Sequence, residues 1–410
     1  MRAIALSLFG LFCGVFLLMA GAGVVGSAIP VRLGAADAAS HVIGAVSAAY
    51  FMGLVIGTLF GNRLIASVGH IRAFATFASF LSAAMLMHPL FPWAASWAAL
   101  RVVQGVCLAG LFMCTESWLN QQATDAVRGR LLSLYMVVLY LGQGLGQILL
   151  PIHDPSGFGL FVVASVLVSL AIVPVAAARI AGPKRPRPAR ISIVRLFNGS
   201  PIAAVGALAS GCMLGAFYGL VPLFTQQVGL SLPEIAQFMG FAIVGGIVMQ
   251  WPIGYVSDRV DRRVVIAAIS ALIAAVSGAV IVTHDGGALD LRLLAPLLGG
   301  TLFSLYPVCA AQANDRIEPR QRLGVSGGLI VTYGVGAALG PLAASAAMEA
   351  TGPQGLFYAI AAVAVLTALM AMVRKASRSP CPVEDKVPFQ VLPRTTPNVG
   401  TLNPHLDAAP

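Results

Sequence analysis

The chain has 410 residues, of which 58% are hydrophobic and only 10% charged, and its mean hydropathy is +0.88. Soluble globular chains carry about a quarter charged residues, so a soluble enzyme is excluded, and so is a disordered scaffold, which needs low hydrophobicity. The net charge of +10 could suggest a nucleic-acid partner, but the basic residues are scattered among short segments between apolar runs, so no such partner is expected.

The apolar runs are about 20 residues long, the length a bilayer requires of a helix. They do not alternate in polarity, which argues for helices over a barrel. In the first half the spans predicted in chain order are 4–30, 41–64, 73–90, 94–120, 131–152 and 158–180. The basic, proline-containing run 177–196 breaks the pattern, with Arg179, Lys184, Arg185, Arg187, Arg190 and Arg195. It reads as a solvated linker that an acidic lipid surface would attract. In the second half the spans are 201–227, 234–256, 264–284, 289–314, 324–348 and 354–373. The domains expected are thus a bundle over 1–180, a basic linker over 181–200, a bundle over 201–374 and a disordered tail over 375–410. The first span, behind Met1-Arg2, is too long for a signal peptide and is read as a retained helix.

With the N-terminus inside, every lysine and arginine except Arg32, Arg101 and Arg292 falls on the cytoplasmic side. The positive-inside rule therefore places both termini in the cytoplasm of a bacterial-type inner membrane. Five of the six cysteines (Cys13, Cys107, Cys114, Cys212, Cys309) lie inside spans and Cys381 lies in the tail. No CxxC is present, so they are packing residues, and neither a metal nor a disulfide framework is expected.

The chain repeats itself at an offset of about 192 residues. Arg128-Gly129-Arg130-Leu131 falls on Arg320-Gln321-Arg322-Leu323, and Gly142-x-Gly144 falls on Gly334-x-Gly336. Arg101 and Leu111-Phe112 fall near Arg292 and Leu302-Phe303. Six spans make one unit, and six is even, so the two copies enter the membrane in the same sense. Parallel halves of that kind place a substrate site between them near the midplane.

After the eighth span stands Gly254-Tyr255-Val256-Ser257-Asp258-Arg259-Val260-Asp261-Arg262-Arg263, and in the fourth Arg101-Val102-Val103-Gln104-Gly105. The first resembles the GxxxDRxGRR signature of the major facilitator superfamily and the second its RxxQG motif. Glu116-Ser117-Trp118-Leu119-Asn120, followed by Arg128-Gly129-Arg130, resembles the superfamily's YcaD-like branch. The resemblance covers the chain to about residue 374 and implies an all-α membrane protein, twelve transmembrane helices in two parallel six-helix repeats. In the first half the signature is eroded: Asn62, Ala66 and Ser67 stand where Gly, Asp and Arg are expected, and Gly69 and Arg72 remain. The resemblance implies a conformational latch at these loops, and Gly69, Arg72, Gly254, Asp258, Arg259 and Arg262 are its candidates, with Arg128 and Arg130. A carboxylate near a helix N-terminus is worth roughly 0.3–1 kcal/mol, enough to bias two states of similar energy.

Charge inside a span is costly and points to function. Arg101 and Glu116 both lie in the fourth span, fifteen residues apart, about 22 Å along a helix, so they do not pair. Their angular offset is about 60°, so both face one side. Arg101 is a candidate for holding an anionic group. Glu116 is read as the proton-coupling residue, since a carboxyl out of bulk water can alternate between its ionised and neutral forms. The rival reading has Glu116 bridging the Arg128/Arg130 loop. From the helices the family uses for its cavity come Gln104, Tyr218, Gln226 and Tyr306, with Gln143 and Tyr333 beside them. Gly142, Gly144, Gly334 and Gly336 with Pro341 resemble the bending region of some antiporters; close helix packing is the other reading.

Gly21-x-Gly23-x-x-Gly26 lacks the strand a dinucleotide site needs, and Gly324-x-Ser326-x-Gly328 opens a membrane helix instead of a nucleophile elbow. None of the three lysines closes a phosphate loop, so no nucleotide cofactor is expected and the chain is not an enzyme. The expectation is a monomeric secondary transporter of a small organic solute, driven by protons through alternating access, with export favoured over import. The alternative is a transporter-like receptor or assembly factor that binds a ligand without moving it.

Overall fold

The structure is a computed structural model, and it describes residues 2–91, 93–122, 127–177, 191–284, 290–377, 382, 384, 386–391 and 394–396. Twelve of its helices are long and apolar enough to cross a membrane. The first six are α1 (Arg2–Ala35), α2 (Ser40–Val68), α3 (His70–Met87), α4 (Ala94–Gln122), α5 (Arg128–Leu149) and α6 (Gly159–Ala177). A short α7 (Ile193–Gly199) precedes the second six. These are α8 (Pro201–Gln227), α9 (Leu232–Arg259), α10 (Arg262–His284), α11 (Leu291–Asn314), α12 (Arg322–Thr351) and α13 (Gly355–Ser377). Each span expected from hydropathy has its helix. Local signals set several ends. Ser231 and Glu234 form a capping box at the start of α9, Asp290 accepts the Arg292 amide at the start of α11, and Gly69, at φ +85°, makes the turn between α2 and α3.

Part of the basic linker, 178–190, lies outside the described residues. After it, α7 packs on α8 and α12 and buries Leu196, so this stretch of the linker is docked on the second half.

The packing of the first six helices recurs in the second six. α1 packs on α5 and α6, α2 on α4, and α3 on α4 and α6; likewise α8 packs on α12 and α13, α9 on α11, and α10 on α11 and α13. Small residues permit these close crossings, as expected where lipid supplies no hydrophobic drive between helices. A Cβ on Gly53 would sit 2.2 Å from the Val102 carbonyl oxygen, and one on Gly245, its repeat equivalent, 1.9 Å from that of Pro296. Gly142 and Gly336 are equally constrained, against Phe16 and Leu208, so at these two positions glycine serves close packing; Gly144 faces open space.

The halves meet through α2 with α12, α5 with α9, and α1 and α2 with α8. At the end away from the basic loops the seam is tight. Ser47 Oγ donates to the Gly219 carbonyl at 3.1 Å, and His41 Nδ1 lies 2.9 Å from Glu349. The tail expected to be disordered is, over its described residues, seated against the bundle at the basic end.

Candidate functional site

A cavity of about 180 Å³ lies between the halves, walled by α1, α2, α4, α5, α8 and α12. Arg101, Tyr50, Gln143, Gln147, Tyr218 and Tyr333 supply its polar wall, and Met19, Leu54, Leu108, Phe112 and Leu139 its apolar one. The two motif residues of α4 are adjacent: the Arg101 guanidinium donates to Gln104 Oε1 at 3.2 Å and lies 4.3 Å from the Tyr50 ring centroid. Both are buried, at 7% and 2% exposure, yet Arg101 Nε and Gln104 Nε2 have no partner among the described residues. Arg101 lines the cavity and Gln104 stands behind it, outside the lining, and an unsatisfied donor on the cavity wall is costly unless a bound acceptor meets it.

Glu116, about one turn beyond Phe112 of the cavity wall, is fully buried. Tyr135 donates to its Oε1 at 3.3 Å, and Thr395 and Thr396 of the tail also donate to its carboxylate. Arg101 and Glu116 are therefore held by separate groups, as their spacing requires, and Glu116 does not bridge Arg128 or Arg130 among the described residues. Arg128 opens α5 and Arg130 is exposed there.

The other sequence candidates divide. Gln143, Tyr218 and Tyr333 line the cavity. Tyr306 is buried behind it, its ring 5.2 Å from that of Tyr333. Gln226 does not line it: a Cβ on Gly34 would meet Gln226 Oε1 at 2.4 Å, which places it against α1 near the tight end of the seam. Gly69 forms a turn and Arg72 is exposed.

In the second half the latch candidates converge. Arg262 is 1% exposed; its Nε donates to Asp315 Oδ2 at 2.7 Å, and its terminal nitrogens donate to Ser257 Oγ at 3.3 Å and Asp258 Oδ1 at 3.2 Å. Burial pushes the Asp315 carboxyl up, and the Arg262 charge opposes that shift. Arg259 stands outside this cluster, stacked 3.5 Å from the centroid of Tyr255. A second void, about 500 Å³, opens between α5 and α9 beside Gly254 and Asp258.

Sequence reasoning missed Tyr50, Tyr135, Tyr140, Asp315 and the tail. It noted Phe112 and Phe303 only as repeat landmarks; Phe112 lines the cavity and Phe303 stacks on Tyr140 and Tyr218, at 5.6 and 5.8 Å.

Residues 11–305 match the family model described as Major Facilitator Superfamily. The chain belongs to the major facilitator superfamily. It is 31% identical over 380 residues to the uncharacterized MFS-type transporter YcaD of Salmonella newport (strain SL254), covering 91% of this chain and 97% of that protein. The same values hold for YcaD of Salmonella typhimurium (strain LT2). Among solved structures, the nucleoside transporter NupG superposes with a TM-score of 0.74 at 14% identity, covering 91% of this chain and 99% of that one. A D-xylose–proton symporter superposes with a TM-score of 0.65 at 13% identity, covering 90% and 96%. These superpositions establish the fold. The superfamily and these relatives are transporters and not enzymes, and this member is a multi-pass membrane protein.

Proposed function

We propose that this major facilitator protein carries a small organic solute by alternating access, with movement of the solute coupled to protons at Glu116. The observation that carries the reading is the central cavity, built from both halves and walled by the repeat-related pairs α1/α8 and α5/α12 with α2 and α4. Parallel repeats that rock about such a site expose it to each side in turn. The seam is tight at the end away from the basic loops, so a rocking motion would break Ser47–Gly219 and His41–Glu349 and bring the halves together at the basic end.

The unsatisfied donor of Arg101, on the cavity wall, supports a solute with a carboxylate, carbonyl or other strong acceptor at one end. The aromatic wall of Tyr50, Tyr218 and Tyr333 supports an apolar or planar body. Glu116 is the fully buried carboxyl near this path, and its partners are hydroxyls instead of a fixed cation, which leaves it free to change charge. Placing the basic loops and both termini in the cytoplasm follows from the distribution of arginine. Export is the direction proposed.

The test compares metabolite pools, inside cells and in the medium, for the overproduced protein and for Glu116→Gln at equal membrane abundance. A compound that shifts across the membrane only with the unaltered chain supports both transport and the role of Glu116. A compound moved equally by both removes Glu116 from coupling. No shift under several growth conditions favours a receptor that binds without moving its ligand.

A further inference from the structure

The chain's own C-terminal segment runs from the α9–α10 junction, past the void between α5 and α9, to the central cavity. Lys386 Nζ reaches the carbonyls at the end of α9, 2.6 Å from that of Val260, where the helix presents its negative pole. The Val387 amide donates to Asp315 Oδ1 at 3.0 Å, and the Val387 carbonyl accepts from Arg262. The Phe389 amide donates to Asp258 Oδ1 at 2.8 Å, and its ring lies over Gly254, where a Cβ would approach to 2.3 Å. The signature residues at the α9–α10 junction thus seat the segment, Asp258 and Arg262 through its backbone and Gly254 beneath the Phe389 ring.

Farther along, the segment enters the cavity itself. Arg394 donates to the Tyr140 hydroxyl at 3.0 Å and to the Phe303 carbonyl at 3.3 Å. Its guanidinium lies 5.4 Å from the Phe303 ring and 5.8 Å from that of Tyr333. Those are the π-faces and acceptors that suit a cation. Thr395 and Thr396 complete the shell of Glu116, and Thr396 is fully buried. Arg101, on the α4 wall, is bonded to Gln104 and stacked on Tyr50.

We propose that the segment formed by residues 386–391 and 394–396 is an internal ligand of the transport cavity. Its arginine fills a subsite for a cationic solute group, and its two threonines cover the coupling carboxyl. The subsite is walled by Tyr140, Phe303 and Tyr333. This rests on the transporter reading, and it adds that the empty cavity binds an organic cation of the guanidinium class, which the tail displaces. While the tail is seated, neither solute nor water reaches Glu116 from the basic end, and the protein is held idle.

Two measurements on the full-length protein test this. The first introduces Gly254→Cys with Phe389→Cys and looks for the 254–389 disulfide by mass spectrometry after mild oxidation in native membranes. The disulfide is expected; its absence, with both substituted cysteines detected, overturns the docking. The second measures binding of N-acetyl-arginine amide, the Arg394 side chain on a free molecule, to purified protein. Because an occupied site lowers apparent affinity by the fraction that is open, Arg394→Ala is expected to bind the probe at least about tenfold more tightly than the unaltered chain. Phe389→Ala, which loosens the segment outside the cavity, is expected to shift affinity the same way, and Arg394→Lys to keep the competition. Equal affinity in all four proteins overturns the competition, and no binding to any of them overturns the cation subsite. If Arg394→Ala binds the probe as expected but does not move it into proteoliposomes, the tail proposal stands and the transporter reading falls.

Discussion

Removing the Arg262 side chain tests how the signature loop is held. Arg262 and Asp315 are both almost fully buried and bonded at 2.7 Å, and Arg262 also ties Ser257 and Asp258 of α9. In Arg262→Ala the Asp315 carboxylate keeps, among the described residues, the Val387 amide as its hydrogen-bond donor and the more distant Lys386 charge, in a site that already disfavours its own charge. Breaking a buried pair from one side costs about 3–5 kcal/mol, whereas replacing both members by apolar groups of similar volume is often close to neutral. Asp258 is half-exposed and can turn to water, so its share of the loss is small. The expected order of thermal stability in detergent, followed by tryptophan fluorescence, is unaltered chain, then Arg262→Met/Asp315→Leu, then Arg262→Ala. Asp315→Asn, which leaves the buried guanidinium with the half-exposed Asp258 as its carboxylate partner, should fall between the unaltered chain and Arg262→Ala. A double variant that loses the sum of its two single losses would refute the reasoning, because it would show that the two side chains act independently.

Other outcomes follow from the same geometry. Gly53→Val and Gly245→Val should each sharply lower the yield of folded protein on size-exclusion chromatography, because a side chain there meets a facing backbone, while Gly144→Ala, in open space, should be tolerated. Tyr50→Leu removes the ring beneath Arg101 and should weaken solute binding by about 0.5–2 kcal/mol, measured by titration calorimetry with the solute found in the metabolite screen. In proteoliposomes, transport by the unaltered chain should depend on the proton gradient; Glu116→Gln should abolish that dependence, and a retained dependence would place coupling elsewhere.

Much of the fold was legible because membrane burial writes long, uniform signals. Twelve apolar runs and the repeat offset gave the helices and their pairing into halves, and Gly53 and Gly245 occupy equivalent crossings in those halves. Within the site, the pair Arg101 and Gln104 was visible as a motif, and Glu116 as a buried charge. Gln226 was misplaced because its helix is shared by the cavity and the closed seam, and sequence does not say how far along α8 the cavity extends. Asp315 looked like an ordinary loop acid; its role depends on Arg262, more than fifty residues earlier. The seven-residue α7 was hidden beside a basic, proline-rich run. The tail was unreadable for a related reason. Its composition is polar and weakly apolar, and the contacts that seat it are to residues more than sixty positions away.

The central claim is that one cavity opens to both sides of the membrane in turn. It is tested most directly by Leu54→Cys, a cavity-lining position, labelled with a membrane-impermeant thiol reagent in right-side-out and in inside-out vesicles. Alternating access gives labelling from each face, with solute changing the two rates in opposite directions. Labelling from one face only, under every condition of solute and proton gradient, would contradict it.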